Sequence, residues 1–446
     1  MAVAPRAVLG PLSTPATDTP LYETVLAWAT ACVRARGYPR PLCKRLAVLV
    51  TGLLAGSRAT VGSLAETLHA LALSPAREPS IVRRLGRVLD DPRLDPERLL
   101  ADVYAAWLPA LLAEVLAAHA GAEPRDRRPW VRLVLDETTV LERIHVLVLG
   151  LAVPGLVLPL GVRCWWQNQP LAEGSYWAEL STLLWGVQRL LPTALRGHVL
   201  LVADRAYGVP RLLDLAAQVG WDVAVRAQGQ VRVRLRSGSV RPLRELVPRP
   251  GTTWTSGTAE AALNAEGEVC VFKQAGWRRC RVAAAWAVGQ AEPWLVLTTL
   301  PTDAAALRAY AGRWAIERLF LSWKSHGWDL EACGVPNPAR LGRLLSGLSL
   351  ATAWTLSLAW PAAQAELARL ADPLRPDGGT RQLPLPWDAR PRRPWAAKFS
   401  LLRWGRKVAA RTTLRTHTPP WQWPLPPWPA LTWTAHCAEA LTHAAA

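Results

Sequence analysis

Acidic residues are scarce in this chain. Aspartate and glutamate number 34 against 52 lysines and arginines, leaving a formal charge of +18 over 446 residues. Such an excess implies a polyanionic partner, nucleic acid before anionic membrane. Lysine is also rare, with five residues; the arginine-heavy balance matches a G+C-rich coding bias and says little about phosphate chemistry. The seven cysteines are scattered, odd in number and never arranged as Cys-x-x-Cys. That argues against a disulfide framework and against structural zinc, and suits a reducing cytoplasm. The first residues, "MAVAPRAVLGPLSTP", lack an apolar signal core, so a cytoplasmic location is expected. Long apolar runs are missing as well. The uncharged stretch at residues 146–162 has 17 positions, with Pro154-Gly155 at its centre. This reads as a buried β-hairpin rather than a membrane span.

What is present is the composition of a globular protein, 50% apolar and 19% charged, with a length that fits two to four domains. Residues 1–126 read as a helical, DNA-binding region. Leu21 to Val33 is amphipathic, Pro41 opens a helix to Leu54, and Ser63-x-x-Glu66 has the form of a capping box. A short helix from Pro79-Ser80 carries Arg83, Arg84 and Arg87. Two short helices with basic residues on the second have the layout of a helix-turn-helix, although three arginines also make an ordinary solvated face.

The pattern changes at Trp130. "WVRLVLD" reads as a strand ending in Asp136, and the two apolar runs after it complete a meander. A helix from Tyr176 to Leu191, a strand ending in Asp204, a helix over 210–219 and the strand "WDVAVRA" follow. This element order predicts an α/β protein with a ribonuclease-H-like mixed sheet, its first part at 127–226. Residues 227–293 read as a β-rich insertion, in which Arg232, Arg234 and Arg236 alternate onto one strand face. The core resumes over 294–352, and 353–446 forms a basic, Pro- and Trp-rich C-terminal region.

Chemistry concentrates in three carboxylates. Two strand-terminal aspartates, Asp136 and Asp204, would meet at one sheet edge, and like charges so close require a cation. Mg²⁺ meets that need with oxygen ligands, and Glu317 on a later helix supplies a third carboxylate for two-ion phosphoryl transfer. In the helical stretch "YAGRWAIERLFLSWKSHGW", Tyr310, Arg313, Glu317 and Lys324 fall within a stripe about 60° wide at helical spacing. The plain alternative is an Arg313–Glu317 surface pair worth a few tenths of a kcal/mol. Against it stands a helix that is apolar nearly all round.

Tyr310-x2-Arg313-x3-Glu317-x6-Lys324 resembles the Y-x2-R-x3-E-x6-K signature of bacterial insertion-sequence DDE transposases, over about residues 45–345. "VLDETT" and "ADRAYG" resemble that family's two Asp segments. The resemblance implies Mg²⁺-dependent cut-and-paste transposition, with Mn²⁺ as a substitute ion, by a homodimeric synaptic complex on double-stranded transposon ends and target DNA. It implies Asp136, Asp204 and Glu317 as metal ligands, and Tyr310, Arg313 and Lys324 as contacts to end phosphates. It also implies a nucleoid-associated protein and, in hairpin-forming members, a base-flipping aromatic in the insertion, for which Trp254 and Trp277 are the candidates. Glu137 departs from the Gly or Ala frequent after the first Asp and is a rival ligand, as are Asp329 and Glu331 by position. A DNA-binding derivative without chemistry, or a nuclease that does not join strands, are the competing readings.

Overall fold

In the computed structural model the described residues are 21–74, 76–122, 129–153, 156–169, 171–371 and 401–416. The Pro154-Gly155 turn and the Pro/Trp-rich segment after Pro419 lie outside them. The chain begins with α1 (Leu21–Trp28), α2 (Arg40–Ala55), α3 (Val61–Ala70), α4 (Glu78–Asp90), α5 (Pro96–Leu111) and α6 (Ala113–Ala120). The capping residue of α3 is Thr60, whose side chain accepts from Ser63 N at 3.1 Å. The expected Ser63 box is therefore corrected: the helix starts one turn earlier, and Ser63 supplies the amide being capped. On α4, Ile81, Leu85, Val88 and Leu89 are buried, which leaves Arg83, Arg84 and Arg87 exposed.

The sheet explains how two aspartates meet. β1 (Val131–Val140), β2 (Ile144–Val153) and β3 (Leu156–Trp166) form an antiparallel meander, so residues 146–153 and 156–162 lie in paired strands. After α7 (Ser175–Leu190), β4 (Val199–Ala203) pairs parallel with β1, and after α8 (Pro210–Val219), β5 (Asp222–Arg226) pairs parallel with β4. β1 does not end at Asp136, as the sequence suggested; pairing with β2 carries it to Val140. Only its pairing with β4 stops there, at Leu135 opposite Ala203. Asp136 and Asp204 are thus the next residues on neighbouring strands, whose backbones run about 4.8 Å apart.

The β-rich segment supplies β6 (Arg232–Arg234), β7 (Val240–Pro242), β8 (Thr252–Thr255), β9 (Val269–Val271) and β10 (Arg278–Trp286). β11 (Trp294–Thr298) pairs antiparallel with β5 and with β10, so these strands prolong the same mixed sheet. The outer edge of β5 is covered and offers no free ladder to another chain.

A single helix was expected across 310–328. The structure divides it into α9 (Asp303–Ala311), α10 (Trp314–Leu321) and a wide turn over Ser322–His326. At the first break, Gly312 N and Arg313 N bond to Ala309 O and Tyr310 O, a tightening to three-residue spacing. The cause lies on β1. Buried Arg132 donates to Ala309 O at 2.9 Å, and a Cβ at Gly312 would fall 2.3 Å from its Nη1. α11 (Pro338–Ala371) then runs unbroken across 352–353, and its Trp354 packs with Trp28 and Trp107 at centroid distances of 5.1 and 5.6 Å. α12 (Leu401–Thr416) lies against α11, where Gly405 meets Thr355. Its Arg406 donates to Gly327 O at 2.6 Å and to Gly56 O, over the ring of Trp328. No single described helix is long and apolar enough to cross a membrane.

Gly312→Ala should displace the Arg132 guanidinium and lower stability by about 1–3 kcal/mol. Urea unfolding of the variant checks this; an unchanged midpoint would mean that Arg132 yields without cost.

Candidate active site

Asp136 lies where the sheet opens toward α9 and α10, with a side chain 13% exposed. Its Oδ2 receives Arg313 Nη1 at 2.5 Å, and Arg313 Nη2 reaches Glu317 Oε1 at 3.2 Å. One guanidinium therefore joins the first aspartate to the glutamate. The second aspartate, Asp204, accepts from the Tyr310 hydroxyl at 3.0 Å. Tyr310 is itself buried, edge-on to Trp294 at 5.2 Å. The helix break assists this arrangement, because Tyr310 closes α9 while Arg313 caps α10, and each addresses a different aspartate.

Burial dominates the electrostatics. It pushes the Asp136 carboxyl up to about 6; Arg313 opposes the shift, while Glu317 and Asp204 add to it. Burial also works against the Arg313 charge, yet Asp136, Asp204, Tyr310 and Glu317 together raise its pKa above the ordinary value. The Tyr310 phenol is pushed up to about 12, by burial first and by Asp204 second. It is a proton donor at neutral pH.

Asp136 and Asp204 open onto a cleft of about 540 Å³, also lined by Glu137, Thr138, Thr139, His145, Tyr176, Trp177, Ala206 and Tyr207. Among the described residues, no three Asp, Glu, His or Cys side chains gather closely enough to hold one metal ion. The donor chemistry nevertheless fits a hard cation. Two carboxylates share one sheet edge, one of them is desolvated, and a buried guanidinium already supplies the positive charge they need. Glu317, 43% exposed, is linked to this pair through Arg313.

Other expected residues lie elsewhere. Lys324 does not join the stripe; its Nζ is 3.4 Å from Glu331, which also accepts from Leu141 N at 2.7 Å. The three-residue turn at Gly312 and the wide turn at 322–326 change the helical phase between Tyr310 and Lys324. Asp329 pairs with Arg58, so both downstream rivals for the metal are engaged away from the cleft. Trp254 packs against the core from β8, and the Trp277 ring lies under the Arg234 guanidinium at 5.0 Å. Arg232 and Arg236 are exposed, Arg236 donating to Ala259 O. Arg83, Arg84 and Arg87 remain on the outer face of α4. Sequence reasoning did not anticipate His145, Tyr176 and Tyr207 as cleft residues. Only Tyr207, inside "ADRAYG", carried a local signal.

An aspartate with a raised folded pKa favours the folded state at low pH and disfavours it above the folded value. Relative to the parent, Asp136→Asn should therefore gain stability as pH rises from about 4 to 7, by roughly 1–3 kcal/mol at most. Metal-free thermal unfolding across that range checks it; a constant difference would remove Asp136 from its desolvated setting.

Residues 182–354 match the family described as a transposase DDE domain, a span that includes Asp204 and Glu317 and begins after Asp136. The match covers less than half of the chain and supports a DDE transposase. No curated protein matches the chain. Among solved structures it is similar to a piggyBac transposase synaptic complex with hairpin DNA, at 10% identity and a TM-score of 0.39. That likeness covers 89% of this chain and 78% of the other.

Proposed function

We propose that the chain is a transposase that cleaves DNA at the inverted ends of a bacterial insertion sequence and joins the freed strands to target DNA. The observation that carries this reading is the adjacency of Asp136 and Asp204 on parallel strands, with Arg313 joining Asp136 to Glu317. In this reading the catalytic core is ribonuclease-H-like, formed by 127–226 and 294–352 and interrupted by 227–293. Residues 1–126 bind the DNA ends, and 353–446 are a helical and basic, Pro- and Trp-rich C-terminal region. Asp136, Asp204 and Glu317 would hold Mg²⁺, or Mn²⁺ in its place. Bound there, the metal supplies activation of the attacking oxygen and charge stabilisation of the leaving one.

The chain's own groups divide the remaining work. Arg313 already presents two N–H donors to carboxylate oxygens in a fork that also suits a phosphate. A phosphate at the DNA end would compete for that fork and release Glu317 toward the aspartates. Tyr310 orients Asp204 through its hydroxyl and stays neutral while doing so. Lys324 and the arginines of α4 and β6 add positive charge along the DNA path. A dimer brings two ends together.

Duplexes carrying the repeats that flank the gene, supplied with Mg²⁺, test the reading. The parent should cleave and join them, and Glu317→Gln should lose both steps by at least 100-fold, roughly the loss of one strong electrostatic contact, while keeping end binding. Undiminished cleavage by that variant would overturn the ligand assignment. Cleavage without joining by the parent would leave a nuclease, and binding without cleavage a DNA-binding protein. Arg313→Ala should weaken end binding and reduce the slope of log affinity against log salt by about 1. Unchanged affinity and slope would confine Arg313 to its internal ion pairs.

A further inference from the structure

Glu137 follows Asp136 on β1 and faces the same cleft, which makes it the nearest rival for a metal. Both of its oxygens are already engaged. Oε1 lies 2.7 Å from His145 Nδ1, and Oε2 receives the Tyr176 hydroxyl at 3.3 Å. The histidine approach is close, although the ring is not aligned for a hydrogen bond to that oxygen. At 2.7 Å the two heteroatoms are within the range where a proton lies between them. His145 stands opposite Thr139 on β2, a diagonal neighbour of Glu137, and its ring stacks on Trp165 at 5.7 Å.

The chain of contacts continues to the second aspartate. The Tyr176 hydroxyl is 3.0 Å from the hydroxyl of Tyr207, which is buried. Tyr207 closes the turn that begins at Asp204, its N–H donating to Asp204 O at 3.0 Å. That turn is pressed onto β5, where a Cβ at Gly208 would fall 2.3 Å from Arg226 O. A polar path therefore runs from the residue beside Asp136, through α7, to the turn that carries Asp204. It crosses the gap where the β1–β4 ladder has stopped and no backbone bond fixes the separation of the two carboxylates.

We infer that Glu137 is a positioning residue rather than a metal ligand: with His145, Tyr176 and Tyr207 it braces the two aspartates relative to each other where the backbone ladder has stopped. Resting on the proposed metal-dependent cleavage, this assigns the surplus carboxylate of that site. Glutamine keeps one acceptor and one donor at the same place and preserves the brace; alanine removes it; Tyr176→Phe cuts the path at its middle by deleting one hydroxyl.

Mn²⁺ binding by the full chain on a pre-cleaved DNA end, followed by electron paramagnetic resonance, separates these roles when read beside the cleavage rate. For Glu137→Gln we expect Mn²⁺ affinity within twofold of the parent and at least half its cleavage rate. For Glu137→Ala and Tyr176→Phe we expect cleavage to fall tenfold or more and Mn²⁺ affinity to fall three- to tenfold, with DNA affinity within twofold. Equal loss of Mn²⁺ affinity in the Gln and Ala variants would make Glu137 a ligand and overturn the inference. Parent-like behaviour of Tyr176→Phe would overturn it too, even if the alanine variant fails to fold. Asp136→Asn is the control for the site itself. If that variant keeps Mn²⁺ binding and cleavage, the metal site is misassigned; if it loses both, the site is upheld and the Gln and Ala variants decide the role of Glu137.

Discussion

Two carboxylates brought together on neighbouring strands need positive charge, and the protein supplies it from within. Arg313 is buried to 8% exposure and shared between Asp136 and Glu317. An uncompensated buried charge of either sign is costly, so the sheet edge and the helix at this point are mutually dependent. The parallel β1–β4 register creates the repulsion, and α10 carries the group that offsets it. A ligand that replaces this guanidinium must bring its own positive charge for the aspartates and negative charge for the arginine. A metal ion together with a phosphodiester does both.

The same dependence explains the broken helix. An unbroken α-helix from 303 to 328 would place Tyr310 and Arg313 at a fixed spacing along one stripe. The tight turn at Gly312, with Arg132 packed where a side chain would stand, sends Tyr310 to Asp204 and Arg313 to Asp136. Arg132 belongs to β1, four residues before Asp136. The strand that bears the first aspartate thus also shapes the helix that answers it.

Much of this was legible in the sequence, for identifiable reasons. Period-two and period-3.6 patterns located the strands around Asp136 and Asp204 and the helices between them, because burial on defined faces fixes those patterns locally. The pairing of Arg313 with Glu317 also followed from helical spacing, because both lie on the same side of the break at Gly312. Lys324 did not, since one tight turn and one wide turn accumulate a phase error that a uniform helix ignores. The capping of α3 by Thr60 was missed because Ser63 and Glu66 offer the same chemistry one turn later. The path from Glu137 to Tyr207 had no periodic signature. It joins a strand, a hairpin partner, a helix and a turn, and such contacts exist only in three dimensions.

Arg406 bears on the order in which the molecule is completed. Its contact with Gly56 spans 350 residues of chain, and the same side chain touches Gly327 and Trp328. During synthesis from the N-terminus, the α2–α3 junction and the segment that follows α10 emerge long before their shared partner. Contacts of such sequence separation form late because the intervening loop must close first. The two segments also touch directly, Trp328 Nε1 donating to Leu53 O at 2.6 Å and Arg58 pairing with Asp329, so the docking of the last described helix adds a late tie to a junction the earlier chain can already form.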